Sequence, residues 1–132
     1  MNSTPCYNEP RTRLGGGFLE GADLARRIVD LLAEKQAEDV LLLDISKLTS
    51  FTDYFVIASA VNVRQMQALL GALDEALGQE GLGSVRSEGD LDSGWVLVDL
   101  GDVIVHLFSP EQRAYYDIER LWSKGTPVVR IQ

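Results

Sequence analysis

Apolar residues recur along this chain with two different periods, which predicts a mixture of helices and strands. Between Asp23 and about Gln36 they are spaced three and four apart, the pattern of an amphipathic helix. Residues 39–45, which read DVLLLDI, then form a short run dominated by aliphatic side chains, which is typical of a strand buried on both faces. Residues 54–59 are rich in β-branched and aromatic side chains and predict a second strand.

A second helix is predicted after this strand, because Asn62 can cap it and Gln65 stands at the matching capping-box position. Gly78 and Gly81 are its stop signals. Residues 84–87 predict a short edge strand.

A third helix is expected to begin at Ser109, which precedes a proline in the first helical position, and to run through Trp122. The segment 127–131 is either a final strand or an arm. The predicted fold class is therefore α/β, with a single mixed β-sheet and helices packed on it.

The segment from Trp95 to Phe108 is predicted to be a β-hairpin. Gly101 and Asp102, between two β-rich runs, are a two-residue turn signal with glycine first. Side chains of paired strands alternate between two faces, so this turn decides which residues share a face. One face is wholly aliphatic and is predicted to be core: Val96, Val98, Leu100, Val103, Val105 and Leu107.

The opposite face of the hairpin, called here the mixed face, consists of Trp95, Leu97, Asp99, Ile104, His106 and Phe108. Burying an unsatisfied polar group costs about 1–3 kcal/mol, so Asp99 and His106 argue against a second buried face. A solvated face, in turn, would not place two large aromatic rings together. Aromatic residues with a few polar groups are typical of the centre of a protein interface, and we predict that the mixed face binds a partner.

Catalysis is the competing interpretation of Asp99 and His106, which are near enough on the mixed face to form a base and its orienting carboxylate. No nucleophile is placed beside them by spacing, because Cys6 lies in the N-terminal tail. A contact that only satisfies two partly buried groups explains the pair more simply. We predict no catalytic residue.

A metal site is a further alternative. It would recruit Asp102, which is expected to face water from the turn. Asp90 and Asp92 resemble the paired carboxylates that hold magnesium in nucleotidyl transfer, but no glycine-rich phosphate loop accompanies them. A solvated turn explains them equally well. We predict no metal and no cofactor, with a magnesium-dependent nucleotidyltransferase-like enzyme as the alternative function.

The charge balance selects the class of partner. The chain has 20 acidic and 12 basic residues and a net charge of -8, which disfavours nucleic acids and favours a basic protein. No run approaches the roughly 20 apolar residues that cross a bilayer, and no secretory signal is recognisable, so we expect a cytoplasmic protein without a membrane partner. We predict a flexible tail at 1–18, a domain at 19–123 and a C-terminal extension at 124–132.

Four segments resemble the ribosomal silencing factor, or Iojap-like, family: FTDYFVIAS at 51–59, Arg64-Gln65, GWVLVDLGDVIVHLF at 94–108 and YYDIERLW at 115–122. The resemblance implies a nucleotidyltransferase-like topology without known enzymatic activity. It also implies binding to the large ribosomal subunit through ribosomal protein number fourteen, which blocks joining with the small subunit and lowers translation. Many members of the family are homodimers, so a homodimer is a possible state, and little direct rRNA contact is expected.

The resemblance also assigns partner-contacting positions. The tryptophan that opens the hairpin and the D-x-x-D-x-x-x-H pattern correspond to Trp95, Asp99, Asp102 and His106, with Asp53 and Tyr54 as weaker candidates. The chain departs from the family where S-G-N-S precedes the arginine, because residues 59–63 read SAVNV. The missing glycine argues against phosphate binding by that turn.

Overall fold

The structure, a computed structural model, describes residues 21–79 and 86–132, which form one six-stranded mixed sheet with helices on both faces. The elements in chain order are α1 (Gly21–Glu34), β1 (Glu38–Asp44), β2 (Tyr54–Ser59), α2 (Val63–Gln79), β3 (Arg86–Glu88), β4 (Trp95–Asp99), β5 (Val103–Phe108), α3 (Pro110–Tyr116), α4 (Ile118–Leu121) and β6 (Thr126–Ile131). The predicted α/β class with a single mixed sheet is confirmed. The predicted tail at 1–18, Gly81 and the start of the short edge strand lie outside the described residues.

The strand order is β3-β4-β5-β2-β1-β6. Only β2 and β5 pair in parallel, and every other neighbouring pair of described strands is antiparallel. The parallel pair lies at the centre of the sheet, and the side chains of both strands are buried apart from the partly exposed Tyr54. This arrangement explains why their sequences are nearly continuous apolar runs.

Helices α1 and α2 cover one face of the sheet. Their buried stripes pack on the aliphatic side chains of the central strands and form the larger core. The capping prediction for α2 is confirmed, because Asn62 Oδ1 accepts from Gln65 N at 2.8 Å. Gln65 Oε1 in return accepts from Val61 N at 2.7 Å.

The β4–β5 hairpin has the predicted register. Trp95 pairs with Phe108 and Leu97 with His106, and the Leu100 amide donates to the Val103 carbonyl at 2.9 Å across the turn. Gly101 has φ +87°, a left-handed conformation that glycine adopts without steric cost. The aliphatic face of the hairpin packs in the larger core, as predicted.

The predicted third helix is interrupted, and this corrects the expectation of one helix through Trp122. Ser109 caps its start, with Oγ accepting from Gln112 N at 3.2 Å. Asp117 then adopts a left-handed conformation, φ 49° and ψ 48°, which ends α3 and begins the short α4. The break turns α4 so that Ile118 packs in a smaller apolar cluster on the second face of the sheet.

The C-terminal residues complete the sheet. β6 pairs antiparallel with β1, and Arg130 on β6 bonds to the Asp39 carboxylate with distances of 3.0 and 2.8 Å. The hydrogen bond from Arg130 holds the pKa of Asp39 below its ordinary value, although partial burial opposes that shift. Of the two alternatives left open for this segment, the structure therefore shows a strand.

Candidate partner-binding surface

A continuous series of rings crosses the second face of the sheet. This aromatic row consists, in spatial order, of Phe51, Trp122, Phe55, His106, Trp95, Tyr116 and Tyr115. Successive ring centroids are 6.0, 5.2, 4.6, 6.0, 4.6 and 5.0 Å apart. The middle of the row is buried and its ends are exposed, so the core of the protein supports an aromatic surface.

Trp95 links the buried and exposed parts of the aromatic row. Its indole packs on Phe108, with centroids 5.0 Å apart and nearly parallel rings, and on Tyr116 at 4.6 Å. Its Nε1 donates a 3.3 Å hydrogen bond to His106 Nδ1. The side chain is only partly buried. A large ring that is held on several sides and still reaches solvent is typical of an interface hot spot.

His106 is buried beneath this surface and is surrounded by other rings. It lies edge-to-face on Phe55 at 4.6 Å and nearly parallel to Phe108 at 6.1 Å. Burial lowers the pKa of His106 from 6.5 to about 4, so the imidazole is neutral at pH 7. Because Nδ1 accepts from Trp95, the proton of the neutral ring lies on Nε2.

The mixed face is less accessible than the sequence suggested. Its three β5 members, Ile104, His106 and Phe108, are all buried, and Ile104 and Phe108 belong to an apolar cluster that also contains Ile118 of α4 and the partly buried Trp122. Its β4 members, Trp95, Leu97 and Asp99, are partly exposed. The expectation that the whole mixed face stays open is therefore wrong for β5, and only its β4 side chains reach solvent.

Asp99 and His106 do not form the hydrogen-bonded pair considered above. Asp99 Oδ1 accepts from Gly101 N at 2.9 Å, which stabilises the hairpin turn. The imidazole uses Nδ1 for Trp95, and its Nε2 has no hydrogen-bond partner among the described residues. His106 thus belongs to the aromatic row, and Asp99 belongs to the turn.

Asp53, Tyr54 and Asp102 lie together at the opposite end of the hairpin from Trp95. The backbone carbonyl of Asp102 accepts from the amides of both Asp53 and Tyr54 at 3.0 Å. Burial raises the pKa of Tyr54, and the nearby carboxylates, Asp44 first, raise it further. The candidate residues therefore form two groups, with Trp95 and His106 at one end of the hairpin and these three at the other.

Asp90 and Asp92, the candidate magnesium ligands, lie in the loop before β4 and form a local turn there. Asp90 caps a 3₁₀ turn over Leu91–Ser93, and its side chain accepts from Asp92 N. Asp99 is at the far end of β4 from this loop. Within residues 21–79 and 86–132, no three histidine, cysteine, aspartate or glutamate side chains converge as metal ligands would. The same residues include no helix long and apolar enough to cross a membrane.

Several exposed apolar residues at the ends of the aromatic row and on α4 were not predicted as part of the site. The largest apolar exposures on this face are 77% for Tyr115 and 76% for Leu121, and Phe51 is 57% exposed. Tyr115 and Leu121 lie on either side of the break at Asp117.

Arg113 holds α3 and α4 against the sheet. The residue is buried, and its side chain donates to the Asp39 carbonyl at 2.7 Å, to Ser59 Oγ at 2.9 Å and to Glu119 Oε2 at 2.6 Å. Its Nη2 also forms an ion pair with Asp39 Oδ2 at 3.5 Å. The helices that carry Tyr116 and Leu121 are therefore tied to β1 and β2 by one guanidinium group.

Comparison with known proteins gives consistent matches. Residues 19–132 match the family described as ribosomal silencing factor during starvation. A ribosomal silencing factor of Chromobacterium violaceum is 38% identical over 109 residues, which cover 83% of this chain and 89% of that protein. A crystal structure from the same organism superposes with a TM-score of 0.75 at 36% identity, covering 86% of this chain and 95% of the other. A Mus musculus protein named mitochondrial assembly of ribosomal large subunit protein 1 is 32% identical, covering 73% of this chain and 43% of that protein.

Proposed function

This chain belongs to the ribosomal silencing factor family, and on that premise we propose that it represses translation by binding the large ribosomal subunit. It binds through ribosomal protein number fourteen and occupies a surface that the small subunit needs. It acts in the cytoplasm and without enzymatic activity. The name of the mouse relative, which refers to the large ribosomal subunit, supports this choice of subunit.

The observation that carries the proposal is the exposed part of the aromatic row. Trp95 and Tyr116 are in ring contact at 4.6 Å, and Tyr115 continues the row into solvent. Leu121 is also largely exposed on α4. Rigid aromatic and aliphatic side chains that are supported from below lose little entropy on binding and exclude water well. A protein partner is the occupant that such a surface fits best.

The charge of the chain supports a basic protein as the direct contact. A net charge of -8 repels phosphate groups and attracts a basic ribosomal protein, which favours fast encounter with the correct surface. Direct contact with rRNA is therefore minor in the proposed complex. Self-association through the same aromatic surface is the competing use of these residues.

Co-sedimentation with isolated large subunits tests the proposal. Trp95→Ala should weaken binding by about 2 kcal/mol or more, roughly thirtyfold, because it removes a central ring. The matched control is Ile131→Ala, which truncates an exposed apolar residue on β6, four strands away from β4. Unchanged sedimentation of folded Trp95→Ala would show that the surface is wrong.

Two further measurements separate the alternatives. If Trp95→Ala converts a dimer to a monomer in analytical ultracentrifugation while ribosome binding persists, the aromatic surface serves self-association. If calorimetry shows nucleotide and magnesium binding that is lost in Asp99→Asn, the nucleotidyltransferase-like alternative is favoured. The proposed function requires that wild-type protein, added to free subunits, reduces the fraction that joins, and that Trp95→Ala does so less.

A further inference from the structure

His106 is a polar side chain inside an apolar cluster, and its hydrogen bond goes to Trp95, a ring that reaches from this cluster to the surface. The side chain is 4% exposed and lies among Phe55, Phe108 and Trp95. Trp95 Nε1 donates to its Nδ1 at 3.3 Å. In the described part of the chain, Nε2 has no hydrogen-bond partner although it is buried.

The stability of the fold does not account for a histidine at this position. A buried N–H without an acceptor costs free energy, whereas an apolar side chain of similar volume leaves no polar atom unsatisfied. Leucine would therefore fill the site of His106 at no greater cost. The one interaction that leucine cannot provide is the hydrogen-bond acceptor for the Trp95 indole.

We propose that His106 is a positioning residue that holds the Trp95 indole in a single orientation for the docking partner and does not itself touch that partner. The inference rests on the proposed role of Trp95 in docking. Packing on Phe108 and Tyr116 confines the indole, and the hydrogen bond selects one orientation among those that packing allows. A side chain that is ordered before binding loses less entropy when the partner arrives.

The same hydrogen bond restricts the chemistry of the partner group that lies on Trp95. The indole has one donor, Nε1, and that donor is already used by His106. The exposed part of the ring offers carbon atoms and a π face. The partner therefore places an aliphatic side chain or an arginine or lysine cation over Trp95, and the acidic character of this chain favours the cation.

The orientation of the indole is measurable in the free protein by NMR. The Trp95 N–H signal is distinguished from the Trp122 signal with a Trp122→Phe variant. In wild-type protein we expect a Trp95 N–H that exchanges slowly with water. In His106→Leu it should exchange faster and shift, while His106→Asn, whose side-chain oxygen is a substitute acceptor, should restore most of the protection.

Binding to isolated large subunits is measured on the same variants. His106→Leu should weaken binding by roughly two- to tenfold, the range expected for one side chain that must be immobilised on binding. His106→Asn should recover part of that loss. The matched control is Thr52→Val, because Thr52 is also buried and its Oγ1 also has no hydrogen-bond partner among the described residues. That variant should bind like wild type.

The outcomes separate this inference from the proposed function. Wild-type protein that fails to sediment with large subunits overturns the proposed function. If wild type binds and His106→Leu binds equally well with a freely exchanging indole N–H, the positioning role alone is overturned. Loss of binding in His106→Leu with an unchanged indole signal also overturns it, because His106 would then act on the partner directly.

Discussion

The guanidinium group of Arg113 donates a 2.7 Å hydrogen bond to the backbone carbonyl of Asp39, so a side chain on α3 holds the start of β1. Asp39 has φ 47°, an uncommon conformation for a non-glycine residue, and it lies in the stretch between Glu38 and Leu41 where the register of β1 shifts. The carbonyl that Arg113 contacts therefore belongs to an irregular part of the strand. The same guanidinium contacts Glu119, which joins this irregularity to α4.

Arg113→Met is expected to lower the free energy of unfolding by about 2–4 kcal/mol, because it leaves three acceptors without their donor. Urea denaturation at equilibrium measures the change. The control is Arg120→Met, which removes an exposed arginine from α4 and should change stability by about 0.5 kcal/mol or less. Equal losses in the two variants would show that the Arg113 contacts contribute little.

Tyr115 and Tyr116 are adjacent but should respond differently to truncation. Tyr115 is 77% exposed, so Tyr115→Ala should change stability by about 0.5 kcal/mol or less and weaken large-subunit binding by about 1 kcal/mol. Tyr116 packs on Trp95, so Tyr116→Ala should reduce both stability and binding. Urea denaturation and co-sedimentation are compared with Val128→Ala, an exposed apolar truncation on β6. Tyr115→Ala that binds like this control would place Tyr115 outside the surface.

The sequence was sufficient to predict features that depend only on neighbouring residues, such as turns and helix caps. The turn at Gly101 determines the pairing of Trp95 with Phe108, because a two-residue loop allows one register. The Asn62 cap follows equally from spacing. The row of rings from Phe51 to Tyr115 was not predictable, because its members come from a loop, three strands and the chain around α3 and α4.

Burial of the β5 side chains was not predicted, because it also depends on contacts with residues distant in the sequence. The sequence shows that Asp99 and His106 share a face, but not that the β5 half of this face is buried and the β4 half partly exposed. The helix break at Asp117 also could not be predicted from periodicity, since aspartate at positive φ has a steric cost that tertiary contacts must offset. In the structure, Arg113 lies before the break, and its side chain bonds to Glu119 after the break and to Asp39 on β1, which contributes to that offset.

Two glycines with nearly the same backbone conformation should differ in their tolerance of alanine. Gly101 has φ +87° and Gly94 has φ +84°. An alanine in this left-handed conformation is strained, so each Ala variant should lose about 1–2 kcal/mol of unfolding free energy. A Cβ at Gly101 meets no described atom within 4 Å, whereas at Gly94 it lies 2.8 Å from Ser109 Oγ, the cap of α3. Gly94→Ala should therefore cost roughly 1 kcal/mol more.

The unfolding free energies of the two glycine variants are measured by urea denaturation, with Gly71→Ala as the control. Gly71 is within α2, and a Cβ there has no described atom within 4 Å. That variant should be neutral or more stable than wild type by about 0.5–1 kcal/mol. If Gly94→Ala were no less stable than Gly101→Ala, the close approach of β4 to the start of α3 would not be a constraint.

The buried imidazole of His106 should make folding sensitive to mild acid. Burial lowers its pKa to about 4, whereas the unfolded chain has a value near 6.5, so between these pH values the unfolded state binds more protons. The free energy of unfolding is therefore unaffected by His106 titration above about pH 6.5 and decreases as the pH falls towards 4, by about 2–3 kcal/mol at pH 4.5. His106→Leu should lack the part of this loss that is due to the imidazole. The carboxylates should lower the unfolding free energy of both proteins equally on acidification. Urea denaturation of wild type and His106→Leu at pH 7 and pH 4.5 measures the difference, and equal losses on acidification would show that His106 is not buried as a neutral group.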